Sequence, residues 1–159
     1  MFIKFSCEKK IFLSIDCAII SNNGDETPKI FEVGTTAIFK WNLNGVPRKR
    51  ALYTIYHYKN KEKNKILQND FDSNTGDNPM SFIKSNNNPF EENNLNRHLN
   101  LTNGNGDLNV MISNVQYNQG GVIILDILVA VTPIIREEVN STLDVQGFFH
   151  LYFLYYNTL

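Results

Sequence analysis

Apolar residues in this chain recur mostly at every second position, the period of a strand and not of a helix. The clearest run places Leu108, Val110 and Ile112 on one face. The chain then turns between Asn114 and Gly121 and re-enters a long apolar strand, Gly121 to Val131. Upstream, Pro28 to Val33 reads as an edge strand, with proline at its start where no donor is needed. Gly34 to Trp41 follows, with Ala37, Phe39 and Trp41 on one face. Asn44-Gly45 and Pro47 turn the chain into a strand from Arg50 to Tyr58. Lys59 to Lys65 reads as a basic hairpin tip, and Ile66-Leu67 opens a short strand beyond it.

The middle is harder to parse. Asn69 to Asn96 is polar, holds Gly76, Pro79 and Pro89, and fits a long irregular connection with one short edge strand around Met80 to Ile83. Arg97 to Thr102 reads as a strand, and Asn103-Gly104-Asn105-Gly106 as a hairpin turn, because these residues tolerate positive φ. After strand 121–131, Val131 to Val139 reads as a loop and Asn140 to Gly147 as a last strand. Short alternating runs punctuated by Gly, Pro and Asn predict an all-β sandwich.

The corner Ser113-Asn114-Val115-Gln116, with Gly121 after it, resembles the E–F corner of variable-type (V-set) immunoglobulin domains, whose pattern is L-x-I-x-N-V-x-x-x-D-x-G-x-Y-x-C. The resemblance spans about Pro28 to Gly147 and implies an immunoglobulin-like β-sandwich, a V-set-like Greek key of two antiparallel sheets. It divides the chain into an N-terminal segment 1–27, a domain 28–147 and an apolar tail 148–159. Trp41 and Leu125 stand where the family has its two cysteines. A disulfide closing so long a loop contributes about 4 kcal/mol in the chain-entropy model; a buried indole against a leucine recovers a comparable amount. Ile55 takes the place of the core tryptophan, with Tyr56 as the aromatic beside it. Arg97 matches the family's salt-bridge arginine, but Gln119 replaces its aspartate, leaving at best a hydrogen bond to a neutral acceptor.

Parity then assigns the faces of strand 121–131. With Ile123, Leu125, Ile127 and Val129 inward, Val122, Ile124, Asp126 and Leu128 point outward. A lone carboxylate in the core would be costly, so Asp126 supports that choice. The outward face of the family's G, F, C and C′ strands would carry Tyr56, Tyr58, Ile124, Asp126 and Leu128, an exposed apolar–aromatic patch suited to binding a protein or to being covered by another part of the chain.

Composition narrows the function. The 159 residues carry 42% apolar side chains, only 19% charged ones and a formal net charge of −1. Nothing marks a nucleic-acid partner. Cys7 and Cys17 are too few for a disulfide scaffold and lack a C-x-x-C spacing. Basic residues before the apolar run Ile11 to Ile20 read either as a secretion signal or as a first strand, with Asp16 and Glu8 against the former. The tail Phe148 to Leu159 is too short to cross a bilayer, so the chain holds no membrane span. His57, His98 and His150 show no metal spacing, Glu91-Glu92 and Glu137-Glu138 read as solvated loop charges, and no nucleophile–base pair or cofactor motif is present. Asn100-Leu101-Thr102 and Asn140-Ser141-Thr142 are glycosylation acceptor sequences, which suit an extracellular domain.

The expectation is a non-enzymatic, cell-surface recognition or adhesion domain that takes no cofactor. The missing cysteines and the Ser-Asn-Val-Gln corner are similar to the outermost domains of invertebrate (cnidarian) allorecognition receptors, which implies the same domain on an opposing cell as partner. Alternatives are a structural domain of a larger receptor or secreted protein, and a glycan-binding sandwich.

Overall fold

A computed structural model of the chain describes residues 19–22, 29–44, 51–69, 80–102, 105–130 and 134–147. Cys7, Cys17, the candidate secretion signal, the Gly45–Pro47 turn, the Asn103-Gly104 turn and the tail 148–159 lie outside them. Among the described residues ten strands form two sheets: β1 (Ile19–Asn22), β3 (Ala37–Asn44), β8 (Asn105–Ile112) and β7 (Leu95–Thr102) in one, ordered β1-β3-β8-β7. The other is ordered β2-β10-β9-β4-β5-β6, from β2 (Lys29–Glu32), β10 (Ile135–Gln146), β9 (Gly121–Val129), β4 (Ala51–Lys59), β5 (Glu62–Asn69) and β6 (Met80–Phe82). This is the order A-B-E-D against A′-G-F-C-C′-C″ that the resemblance implies. β1 comes from the segment 1–27 and pairs antiparallel with β3. β2 runs parallel to β10 but covers only Leu143 to Gln146; among the described residues no strand pairs with the outer side of 135–142.

The period-two alternation becomes the seam between the sheets. Ala37, Phe39, Trp41 and Leu43 from β3 and Leu108, Val110 and Ile112 from β8 are buried against Tyr53 and Ile55 from β4 and Ile123, Leu125, Ile127 and Val129 from β9. Phe39 stacks on Trp41 with ring centroids 5.9 Å apart. Ile55 lies directly opposite Leu125 in the large sheet. A bulge in β5 shifts the register between Ile55 and Tyr56, so that the neighbours Ile66 and Leu67 are both buried. Where β5 ends, the buried Asn69 side chain takes over its pairing with β4: Oδ1 accepts from the Tyr53 amide at 2.6 Å and Nδ2 donates to the Ala51 carbonyl at 3.0 Å.

The corner between β8 and β9 is tied from several sides. Asn114 takes φ 53°, a left-handed conformation that asparagine tolerates. Backbone bonds from Val115 N to Thr35 O and from Gly34 N to Val115 O lock it to the turn before β3. His57 Nε2 donates to Gly120 O at 3.3 Å, and Lys59 Nζ donates to Tyr117 O and Asn118 O. Gly121 has φ 153°, and a β-carbon there would meet the Tyr58 carbonyl at 2.7 Å, so glycine is required.

Four expectations are corrected. The β4–β5 hairpin turns on Asn60 and Lys61 alone, at φ 52° and 67°, and β5 already begins at Glu62; two positive φ values match the right-handed twist of the strands. Asn105 and Gly106 belong to β8. Residues 135–139 are strand, not loop, and with them Glu137-Glu138, since cross-strand pairing with β9 outweighs the polar sequence. Arg97 does not reach Gln119; its Nε donates to Met80 O at 2.6 Å and its Nη2 meets Glu92 at 3.4 Å. The buried Gln119 bonds instead to the Gln116 amide and to Pro89 O, because a neutral amide can both donate and accept there.

Two stability predictions follow from the core. Trp41 Nε1 and Tyr53 Oη are buried without a hydrogen-bond partner among the described residues, and burial pushes the Tyr53 phenol well above its ordinary range. Tyr53→Phe removes one such group and should raise the unfolding free energy by about 1 kcal/mol, read by urea denaturation. His57 is buried edge-on against Phe90, at a centroid distance of 5.2 Å. Burial lowers its pKa first; bonds to the Gly120 and Gln119 backbone oppose this, and Lys59 adds to the lowering. The folded state thus favours neutral imidazole, and its stability contribution is complete above the unfolded pKa of about 6.5 and lost as pH falls towards the lower folded value. The urea midpoint of the wild type should drop more between pH 7 and pH 5.5 than that of His57→Gln.

Candidate functional site

The outward face of the large sheet is built by register. Leu52, Leu128 and Arg136 lie side by side on β4, β9 and β10; Thr54, Asp126 and Glu138 form the next row; Tyr56, Ile124 and Asn140 the third; Tyr58, Val122 and Thr142 the fourth. Lys65 and Lys63 of β5 extend the third and fourth rows. The face therefore brings together all five residues picked out from sequence, Tyr56, Tyr58, Ile124, Asp126 and Leu128.

It does not leave them all exposed. Tyr58 is 40% exposed, Tyr56 and Leu128 are half-buried, and Ile124 and Asp126 keep only 7% and 6% of their surface. The expected open apolar patch is thus corrected to a polar surface with apolar residues beneath it. The reason is a charge network that sequence reading missed. Arg136 grips Asp126 with two bonds, Nε to Oδ1 and Nη2 to Oδ2, both 2.9 Å. The same Nη2 donates to Glu138 Oε1 at 3.1 Å, and Lys63 Nζ donates to that oxygen at 2.8 Å. Lys63 Nζ also sits 4.5 Å from the Tyr56 ring centroid, a cation–π distance. The hydrogen bond to Asp126, followed by its charge, raises the Arg136 pKa further. A carboxylate this buried is tolerable because a fork-shaped guanidinium meets both oxygens.

Two acids and two bases make the network formally neutral, with the signs interleaved across three strands. Lys63 and Glu138 are partly exposed, and the Arg136 side chain is 56% exposed. Exposed ion pairs contribute little to folding because water and salt screen them, so Lys63, Glu138 and Arg136 can exchange these bonds for bonds to a partner at small cost. In the sequence only Ile135 and Val139 hint at an inward side; the structure exposes Arg136, Glu138, Asn140 and Thr142 and half-buries Ile135, Glu137, Val139 and Ser141.

Trp41 and Leu125 are fully buried on opposing sheets within the one core cluster. Asn140 is exposed on the large face, whereas Asn100 lies on β7 of the small sheet, paired with Asp107. Among the described residues no cluster of His, Cys, Asp and Glu could hold a metal, and no helix is long and apolar enough to cross a membrane.

No protein-family model matches the chain, and no curated protein matches it in sequence. Solved structures do match in fold. Murine CRIg superposes with a TM-score of 0.58 at 9% identity, covering 81% of this chain and 98% of that one. The RIG-5 IG1 domain, solved as a homodimer, gives 0.53 at 12% identity over 80% and 97%. A marsupial T cell receptor gives 0.60 at 14% identity over 82% of this chain and 53% of that one. Strand order, corner geometry and these likenesses together make the fold an immunoglobulin-like β-sandwich of the variable type.

Proposed function

We propose that this chain is an extracellular, cell-surface recognition or adhesion domain that binds a second copy of itself through the outward face of its large sheet. The observation that carries the reading is the network Lys63–Glu138–Arg136–Asp126 beside Tyr56 and Tyr58. Interleaved charges are self-complementary: two copies related by a two-fold axis set acid against base without net repulsion. Tyr58 and Tyr56 supply aromatic area, with Leu128 at the margin, while Ile124 and Asp126 support the surface from below.

Two fold relatives lend support. The RIG-5 IG1 domain is a homodimer, and a VGSC beta subunit, matching with a TM-score of 0.57 at 6% identity, was solved in a study of multimeric cell-adhesive interactions. The proposal takes Trp41 and Leu125 as the packed substitute for the family disulfide. It takes 28–147, together with the upstream strand β1, as the folded unit. The similarity to cnidarian allorecognition receptors belongs to the same reading, and rests on the 113–116 corner and the residues at 41 and 125.

The test is sedimentation of the glycan-free chain over a range of concentrations and salt. The expected result is a dimer that weakens with ionic strength, as exposed charges are screened, and that loses at least about tenfold in affinity in Tyr58→Ala/Lys63→Glu. Lys40→Ala, exposed on the small sheet, should leave association unchanged. A chain that stays monomeric throughout, or a Lys40 variant as damaged as the double one, rejects the reading.

A further inference from the structure

Asn140 is the acceptor of the sequence Asn140-Ser141-Thr142, and its place in the fold gives that sequence a consequence. In a strand, residues i and i+2 share a face. Asn140 and Thr142 are both exposed on the outward side of β10, while Ser141 between them is half-buried. Asn140 lies opposite Ile124, which lies opposite Tyr56. Two strand spacings put Tyr56 about 10 Å from Asn140, less than the reach of an oligosaccharide of several sugar rings. Glu138 stands two residues away on the same face, bonded to both Lys63 and Arg136.

We infer that Asn140 is an N-glycosylation site whose occupancy closes the large face to a second copy of the domain. The inference rests on the docking reading above. In the modification, the Asn140 side-chain nitrogen bonds to the anomeric carbon of an oligosaccharide carried on a polyprenyl pyrophosphate. The carbon–oxygen bond to the pyrophosphate breaks, its electron pair leaves with the phosphate, and one amide proton passes to a base of the transferase. Acceptor, hydroxyl at i+2 and docking residues then share one surface, so a glycan there occupies the volume a partner would need. The other acceptor sequence, Asn100-Leu101-Thr102, is on β7 of the opposite sheet and serves as the internal contrast.

The experiment expresses the full chain through a eukaryotic secretory pathway and compares wild type with Asn140→Gln and Thr142→Ala by intact mass and by sedimentation. The expected result is loss of one glycan mass in either variant. Self-association should appear in both variants and be at least tenfold weaker in the glycosylated wild type. Treatment with an endoglycosidase that trims the chain to one sugar should restore it. An unchanged mass in Asn140→Gln overturns the site, and equal association of glycosylated and glycan-free protein overturns the gate while leaving the docking reading intact. Wild type trimmed by the endoglycosidase that still does not associate overturns the docking reading and the gate with it.

Discussion

Everything in this molecule hangs on one apolar seam between two sheets, with no cysteine in any described strand to reinforce it. The inward residues of β3 and β8 share one core cluster with those of β4 and β9. Packing at crystal-like density is therefore the main source of cohesion, and a void of one or two methylenes in such a seam costs more than on a surface. Phe39 and Trp41, stacked and buried, are large aromatic members of the seam. The seam also dictates the outside, since in a strand whatever does not face the core faces solvent or a partner.

A sandwich joined only by packing needs its corners held. In the family pattern a tyrosine stands two residues before the second cysteine, and here that position is Ile123, a core residue. The corner is fastened instead by β4, which sends His57 and Lys59 to the carbonyls of 117, 118 and 120, and by Gln119, which links it to Pro89. These bonds are polar and reversible where a disulfide would be covalent.

Much of this was legible in the residues, and the limits have physical causes. Alternation in 37–41 and 108–112 shows which side of each strand is buried, because a one-residue error would flip every side chain; in 123–129 Asp126 alone marks the outward side. β10 was half lost: Arg136-Glu137-Glu138 has no apolar face, and its strand character comes from hydrogen bonding to β9, a long-range fact. The burial of Ile124 and Asp126 is hidden from the sequence for the same reason. Parity says which way a side chain points, but only register says that Arg136 stands beside Asp126 and covers it. Gln119 could be seen to depart from the family, yet its choice of Pro89 over Arg97 depends on a loop brought close by folding.

Among the described residues β2 pairs only with Leu143 to Gln146 of β10, and a strand edge that lacks a neighbour is a template on which other chains can stack without end. Two charged side chains, Arg136 and Glu138, line its outward face, with Asn140 after them. Strand addition there would desolvate charges already engaged with their neighbours. The polarity that disguised this segment as a loop is thus also its protection against fibre growth. A change that made the segment easier to recognise as a strand, by replacing those charges with apolar residues, would make the protein harder to keep in solution.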